Sequence, residues 1–485
     1  QKPGAASGMN LRDLLSTQSV PNIEFSGISE MSRDVQAGDL FLAVGDSVGQ
    51  KAHINEAKRR GATCVLTDKS IPFGSDFSGV PVISMGDLAT RRGMLASRFY
   101  SNPSGDLECV GITGTNGKTS IAYWIADLSS RIGVKTGYSG TLGWGTLEKL
   151  QPASLTTPNA VDIQKRLFHL LREGCSRTAI EVSSHSLDQG RVSDVHFDIG
   201  VFSNLTRDHL DYHKSMKAYA ECKAKLFKDF DLKKAVVCVD DPFGKSIADY
   251  LGNRVLTYGL KGDVSWVATP SPYGYTVSWN TPWGDFENEF PFFCDFSISN
   301  LGAVIGVILS AGGSVKQLAR ELNYLKQIPG RMETISDMNQ SCPCVIVDFA
   351  HTPEAVRLVL MSIRARVSGR LICVIGCGGD RDKGKREEMG KIVSELSDFV
   401  WLTSDNPRSE DPMKIIRQIA SGITTGNYSV SLDRKDAIRE AITSSQDQDI
   451  VMLLGKGDES TQEVNGVFLP FSDRDIAKEV VGGLI

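Results

Sequence analysis

The sequence predicts an α/β protein of three domains, with a central parallel-sheet domain, a smaller α/β domain before it and a second alternating α/β domain after it. Three observations carry that prediction. Cys109-Val-Gly-Ile-Thr-Gly-Thr-Asn-Gly-Lys-Thr-Ser120 reads as a strand, a glycine-rich loop and a helix start. Short apolar runs alternate with helical stretches along the chain, the pattern of parallel sheets joined by crossover helices. The 485 residues suffice for about three domains.

From Asn10 to Tyr100 the first domain is expected to hold strands at Gly38–Val44, Cys64–Thr67 and Val80–Ser84, with helices at His53–Gly61 and Leu88–Phe99. Asn102-Pro103-Ser104-Gly105 breaks the chain and sets domain boundaries at 9–103 and 104–331. The glycine-rich loop opens the central domain, with a helix over Ile121–Leu128. Strands follow at Thr178–Val182, Asp198–Phe202 and Val236–Val239, a helix at Ser215–Asp229, and β-rich chain between Gly252 and Phe296. Ser297-Ile-Ser-Asn300 is read as lying before an apolar helix. Gln327-Ile-Pro-Gly-Arg331 is a second break. The last domain, 332–485, has strands at Cys344–Val347, Leu371–Ile375, Val400–Thr403 and Val451–Leu454. Gln1 to Gly8, small and polar, are set aside as a possible remnant.

Fifty-three basic and 58 acidic residues give a net charge of −5, which argues against nucleic acid or an anionic membrane as the main partner. No apolar run is long enough to span a bilayer, and no cationic, apolar leader is visible. Ten cysteines lack zinc spacing and are expected to be reduced thiols of a cytoplasmic protein.

The glycines at 111, 114 and 117 let backbone N–H groups turn toward phosphate oxygens at a helix N-terminus. Lys118 would reach the outer phosphates, and the Thr119 hydroxyl would meet Mg²⁺. Counting from Gly111, five residues precede Gly117-Lys118, so the loop is a variant of the general pattern. Ligands gather beyond the carboxyl ends of parallel strands. Glu181, Ser183, Ser184 and His185 fall there, as do Asp208, His209, Asp211 and His213. Glu181 and Thr119 suit magnesium, and an imidazole ligand is possible.

In the helix at 215–229, Met216, Tyr219, Ala220, Lys223, Leu226 and Phe227 share one face. Lys223 therefore sits in an apolar stripe. It either snorkels to the rim or is buried with a lowered pKa, leaving an amine that CO₂ can convert to a carbamate. In the last domain, Asp348 and His351 end one strand. The loops Gly376–Arg386, Thr403–Arg408 and Gly455–Glu459 follow three others and read as a site for something charged.

These residues in combination resemble the Mur ligases of peptidoglycan synthesis, from Ser32 to Glu459, and most closely the diaminopimelate-adding members. The resemblance implies a central ATPase domain, an N-terminal domain for the UDP substrate and a Rossmann-like C-terminal domain for the amino acid. It assigns Gly114, Thr115, Asn116, Gly117, Lys118 and Thr119 to ATP, with Asn300, Arg331, Asp348 and His351. It assigns Mg²⁺ to Thr119, Glu181, His209 and a carbamate on Lys223, so that Lys118, Glu181, His209 and Lys223 are the catalytic set. Ser32, Thr156, Thr157, Ser183, Gln189 and Arg191 would hold the UDP-N-acetylmuramoyl dipeptide. Arg381, Asp405, Asn406, Pro407, Arg408, Gly455 and Glu459 would hold meso-diaminopimelate.

The implied reaction passes the ATP γ-phosphoryl group to the D-glutamyl carboxylate, and the diaminopimelate amine then attacks the acyl phosphate. Closure of the third domain would bring the two together. Arg408 would grip the distal carboxylate and be left unpaired by lysine. Asp458 stands where the family usually has His, a change of charge expected beside the incoming amine. Rival expectations are an L-lysine-adding sister ligase, a folylpolyglutamate synthase, or a catalytically weak relative acting as an interaction module. The chain is expected to be a monomer.

Overall fold

The computed structural model describes residues 8–45, 47–70, 79–272, 274–292, 294–336 and 341–484; the polar segment before residue 8 lies outside them. The chain falls into two compact units. The first comprises Gln1–Thr113, Ile125–Val201 and Cys222–Ala235, and the second comprises Gly114–Trp124, Phe202–Glu221 and Val236–Ile485.

In the first unit, β1 (Gly27–Ser29), β2 (Asp39–Ala43), β3 (Cys64–Thr67) and β4 (Val82–Ser84) form a four-stranded parallel sheet in that order. The helix α1 (Ser47–Arg59) starts six residues earlier than the sequence suggests, while α2 (Leu88–Phe99) has the expected bounds. Leu40, Leu42 and Leu66 pack with Leu95 and Phe99 of α2 in one apolar core.

The same unit holds the strand leading to the glycine-rich loop, β5 (Glu108–Thr113), after which α3 (Lys118–Arg131) begins at the lysine itself. Next come β6 (Thr136–Gly140), β7 (Gly143–Gly145), α4 (Ala160–Arg172), β8 (Arg177–Glu181), β9 (Ile199–Phe202) and α5 (Met216–Lys228). β8 pairs in parallel with β5 on one side and β6 on the other, and β7 turns back antiparallel on β6. Every residue of β5, β6 and β8 except Glu108 is buried, as expected for strands covered on both faces.

In the second unit, β10 (Lys234–Cys238) and β11 (Val255–Tyr258) precede an antiparallel meander of β12 (Ser265–Ser271), β13 (Gly274–Asn280) and β14 (Phe286–Phe290). The apolar helix α6 runs over Phe296–Ser310. Ser297 and Asn300 are thus inside its first turns rather than ahead of it. Serine and asparagine suggest a cap, yet Asp295 makes no side-chain cap bond and backbone bonds from Ser297 and Ile298 already close the turn.

The last sheet runs β15 (Glu333–Ser336), β16 (Cys344–Asp348), β20 (Ile450–Leu454), β17 (Leu371–Ile375), β18 (Phe399–Leu402) and β19 (Tyr428–Val430) across its width. All its neighbours are parallel except β15. Asp348 is in register with Leu454, and Ile375 with Leu402. The carboxyl ends of β16, β20, β17 and β18 therefore lie side by side, so their loops are neighbours although Asp348 and Leu454, paired in register, lie far apart in sequence. The hairpin of β21 (Thr461–Val464) and β22 (Val467–Pro470) follows the loop after β20. α7 (Lys385–Leu396) follows the loop after β17.

Candidate active site

The glycine-rich loop takes its shape from two positive backbone angles, φ 152° at Gly114 and 89° at Gly117, which side chains other than glycine seldom adopt. Space is closed as well. A Cβ on Gly114 would lie 1.8 Å from Ser203 Oγ, and one on Gly117 would lie 2.5 Å from Asn300 Oδ1. That contact sets Asn300 against the loop. Ser203 and Asn204 donate to the Asn116 carbonyl at 2.6 and 3.1 Å, and the Asn116 amide donates to Asn204 Oδ1 at 2.9 Å. Thr115 Oγ1 is 3.1 Å from the Tyr219 hydroxyl. Lys118 Nζ donates to the carbonyls of Gly114 and Thr115 at 2.8 and 3.1 Å, which carries its charge over the loop.

Arg331 is the loop's link to the last sheet. Its Nη2 donates to Thr119 Oγ1 at 3.2 Å and its Nη1 to Asp458 Oδ1 at 3.3 Å. Its guanidinium lies over the Phe349 ring, 4.3 Å from the centroid. Asp458 is thus paired with the arginine beside the phosphate loop. Asp348 accepts from the backbone amides of Met332 and Ala350 at 2.8 and 2.7 Å. Burial raises its carboxyl pKa against the opposing pull of Arg331 and those amides. Its role in this geometry is to hold the turn that presents Arg331.

Asp208, which sequence reasoning left without a role, gathers two of the assigned residues. His209 Nε2 is 3.4 Å and His351 Nε2 3.7 Å from its Oδ2. Burial works to raise the Asp208 pKa, but the hydrogen bond and charge of His351, with His209 and Lys385, hold it far below the ordinary range. An acid directly preceding a candidate histidine ligand was the available signal, since such histidines are commonly oriented by a carboxylate.

Residues spread over 138–191 come together in the first unit. Glu181 is fully buried. It accepts from the Tyr138 hydroxyl and from the Thr141 amide and hydroxyl, the last two at 3.1 Å. Thr141 Oγ1 also meets Thr156 Oγ1 at 3.1 Å. Thr157 Oγ1 donates to the Glu181 carbonyl at 2.7 Å and accepts from the Ser183 amide at 3.0 Å. Arg191 donates to the Thr157 carbonyl at 3.0 Å and chelates Gln189 Oε1 through Nε and Nη2. Thr156, Thr157, Ser183, Gln189 and Arg191 are thus one polar cluster around Glu181. Ser32 stands elsewhere in the unit, its hydroxyl on His53 Nδ1 at 3.0 Å and Glu56 Oε2 at 2.6 Å.

Lys223 is 1% exposed on α5, with Tyr219, Leu226 and Phe227 equally buried. A snorkelling lysine would show its ammonium to water, so the structure removes that alternative. A carboxylate such as that of Glu181 is the kind of oxygen ligand a hard cation prefers. Among the described residues no group of three or more His, Cys, Asp and Glu side chains is placed to hold a metal.

The loops after β17, β18 and β20 form the second cluster. Arg408 (φ 51°) is held through Nε by Glu463 Oε2 at 2.9 Å and through Nη1 by the Gly379 carbonyl at 2.8 Å. The sequence reading, in which lysine would leave Arg408 unpaired, is corrected here because Arg408 already has Glu463 as a partner within the protein. Glu463 was missed, although Asn465-Gly466 signals the hairpin that carries it. Asn406 Nδ2 donates to Glu459 Oε2 at 3.0 Å, and Lys456 Nζ to the same oxygen at 2.8 Å. A Cβ on Gly455 (φ 108°) would lie 2.8 Å from Asp405 Oδ2, and one on Gly379 1.9 Å from the Pro407 carbonyl oxygen. Arg381, half exposed, is 3.9 Å from Asp211. The ten cysteines are all buried thiols, and burial pushes Cys377, behind this cluster, up to about 11.

Fold and loop chemistry together define a phosphate-loop α/β protein. Residues 112–308 match the Mur ligase middle domain, and residues 330–457 match the Mur ligase glutamate ligase domain. The chain belongs to the Mur ligases. It is 41% identical over 462 residues to a UDP-N-acetylmuramoyl-L-alanyl-D-glutamate–2,6-diaminopimelate ligase of Coxiella burnetii, covering 93% of this chain and 94% of that one. The ligase of the same name in Chromobacterium violaceum is 41% identical, with 93% of each chain covered. A solved structure of a ligase bearing that name superposes with a TM-score of 0.68 at 32% identity, covering 98% of this chain and 99% of the other.

Proposed function

We propose that this protein joins 2,6-diaminopimelate, in its meso form, to UDP-N-acetylmuramoyl-L-alanyl-D-glutamate with conversion of ATP to ADP and phosphate. What carries the reading is Arg331, which touches the phosphate-loop Thr119 and the loop holding Glu459 at once. A carboxylate must be activated before an amine can attack it. Lys118 and Arg331 would balance charge on the transferring phosphoryl group. Glu459 would take an ammonium of the amino acid, and the Arg408 guanidinium its distal carboxylate.

Thr119, Glu181, His209 and a carbamate on Lys223 would hold Mg²⁺, whose chemistry would be to shield phosphate charge. Asn300 would meet the nucleotide from α6. Thr156, Thr157, Ser183, Gln189 and Arg191 would bind the muramoyl dipeptide, with Ser32 toward its uridine end. Domain limits at 9–103, 104–331 and 332–485, a monomeric state and a cytoplasmic location belong to the same proposal. No helix among the described residues is long and apolar enough to cross a membrane.

Phosphate release by purified protein, measured with each component omitted in turn, tests this. Release is expected only with ATP, the UDP-muramoyl dipeptide and diaminopimelate together. Release with L-lysine at equal kcat/KM would favour the sister ligase, and none with any amino acid would favour an interaction module.

A further inference from the structure

We propose that Lys456 is the positioning residue that sets both charged ends of the amino-acid site, a reading that rests on the ligase function above. Lys456 is 0% exposed. Burying an ammonium costs stability unless it is paired and fully hydrogen-bonded, so its partners show what it holds. Nζ donates to Glu459 Oε2 at 2.8 Å and to Asn406 Oδ1 at 3.1 Å, and lies 5.9 Å from the centre of the Phe471 ring. An ammonium has three protons; two go to side chains of the site, and the third side of the group is toward an aromatic face.

The Asn406 amide is fixed by the same contacts. Its Oδ1 takes Lys456 Nζ and the Glu463 backbone amide, the latter at 2.9 Å, while its Nδ2 donates to Glu459 at 3.0 Å. A flipped amide would face two donors with a donor and a carboxylate with an acceptor, so one orientation survives. Glu463, anchored by that backbone bond, holds Arg408 through Nε at 2.9 Å. One lysine thus locks the Glu459 rotamer directly and the Arg408 guanidinium through Asn406 and Glu463.

The consequence is directional. With both Lys456 and Asn406 on Oε2, Glu459 Oε1 makes no hydrogen bond among the described residues and is turned out for a substrate ammonium. With Glu463 on Nε and Gly379 on Nη1, Nη2 of Arg408 is left for a substrate carboxylate. A bifunctional amino acid is read by two groups whose spacing Lys456 sets.

The experiment compares the wild-type protein with Lys456→Met, Glu459→Gln, the double variant, and Glu463→Gln, in steady-state assays with diaminopimelate and ATP varied separately. Lys456→Met keeps the length of the side chain without its charge. It is expected to raise KM for diaminopimelate at least about tenfold, the scale of losing charge-assisted bonds, with KM for ATP unchanged within about twofold. The double variant is expected to fall well short of the product of the two single effects. Glu463→Gln, which leaves Lys456 in place, is expected to raise the same KM and so reports the Arg408 end even where Lys456→Met folds poorly. Unchanged KM for diaminopimelate in folded Lys456→Met, or strictly multiplicative effects in the double variant, would overturn the proposal. Wild-type protein inactive with diaminopimelate would instead remove the ligase reading beneath it.

Discussion

Arg331 and Asp458 form an ion pair, Nη1 to Oδ1 at 3.3 Å, with both side chains mostly buried. One residue closes the central β-rich segment and the other lies in the loop after β20, beside Glu459. Such a pair is expected to couple the two loops by about 1 kcal/mol. Urea unfolding of Arg331→Ala, Asp458→Ala and the double variant measures this, and strictly additive losses would deny the coupling. In activity, Arg331→Ala is expected to cost about a hundredfold in turnover, the scale of removing one group that balances transition-state charge.

The burial of Lys223 makes the carbamate testable on its own. Protein equilibrated with ¹³C-bicarbonate is expected to show a carbamate carbonyl resonance that Lys223→Ala lacks, with turnover in the variant down by about a hundredfold. An identical spectrum and intact turnover would eliminate the carbamate.

Arg408 has Glu463 as a partner within the protein, so the expected cost of accepting lysine is a lost interaction and not a stranded charge. Discrimination of diaminopimelate against lysine in kcat/KM is expected to fall by about tenfold or more in Arg408→Ala, equivalent to about 1.4 kcal/mol. Competition assays with both amino acids present would reveal it; an unchanged ratio would place selectivity elsewhere.

Acid stability should report on the loop after β17. Arg386 chelates Glu410 at 2.9 and 3.0 Å, and Glu410 Oε1 accepts the Asp380 amide at 2.7 Å. The hydrogen bond from Arg386 leads in lowering the Glu410 pKa from 4.5 to about 2. A depressed carboxyl contributes stability above its unfolded value and loses it as the pH falls toward the folded one. Between pH 4.5 and 2, the wild type is expected to lose stability more steeply than Glu410→Gln in urea titrations. Parallel curves would show that the pair adds nothing.

The fold was largely legible because many of its strands are short apolar runs, so Leu371–Ile375 could be bounded from composition, and the helix Leu88–Phe99 from the punctuation around it. The glycine-rich loop was legible because phosphate chemistry needs glycine, lysine and threonine in fixed succession. Local sequence failed where polar residues had two possible uses. Ser297 and Asn300 read as a helix approach, yet they occupy the helix because backbone bonds closed its first turn. The hairpin bearing Glu463 did carry a turn signal, Asn465-Gly466 between Val464 and Val467, the dipeptide that favours two-residue hairpin loops, but its flanking strands are short and adjoin a charged loop.

Chain order alone determined the α/β class, the phosphate loop and the charged loops at strand ends, since each is written in residues adjacent in sequence. Tertiary structure alone decided that Lys223 is sealed from water, that Asp458 faces Arg331, and that Lys456 joins Glu459 to Asn406. The reason is that parallel β-pairing sets distant strand ends a few ångströms apart, and only that register determines which charge meets which.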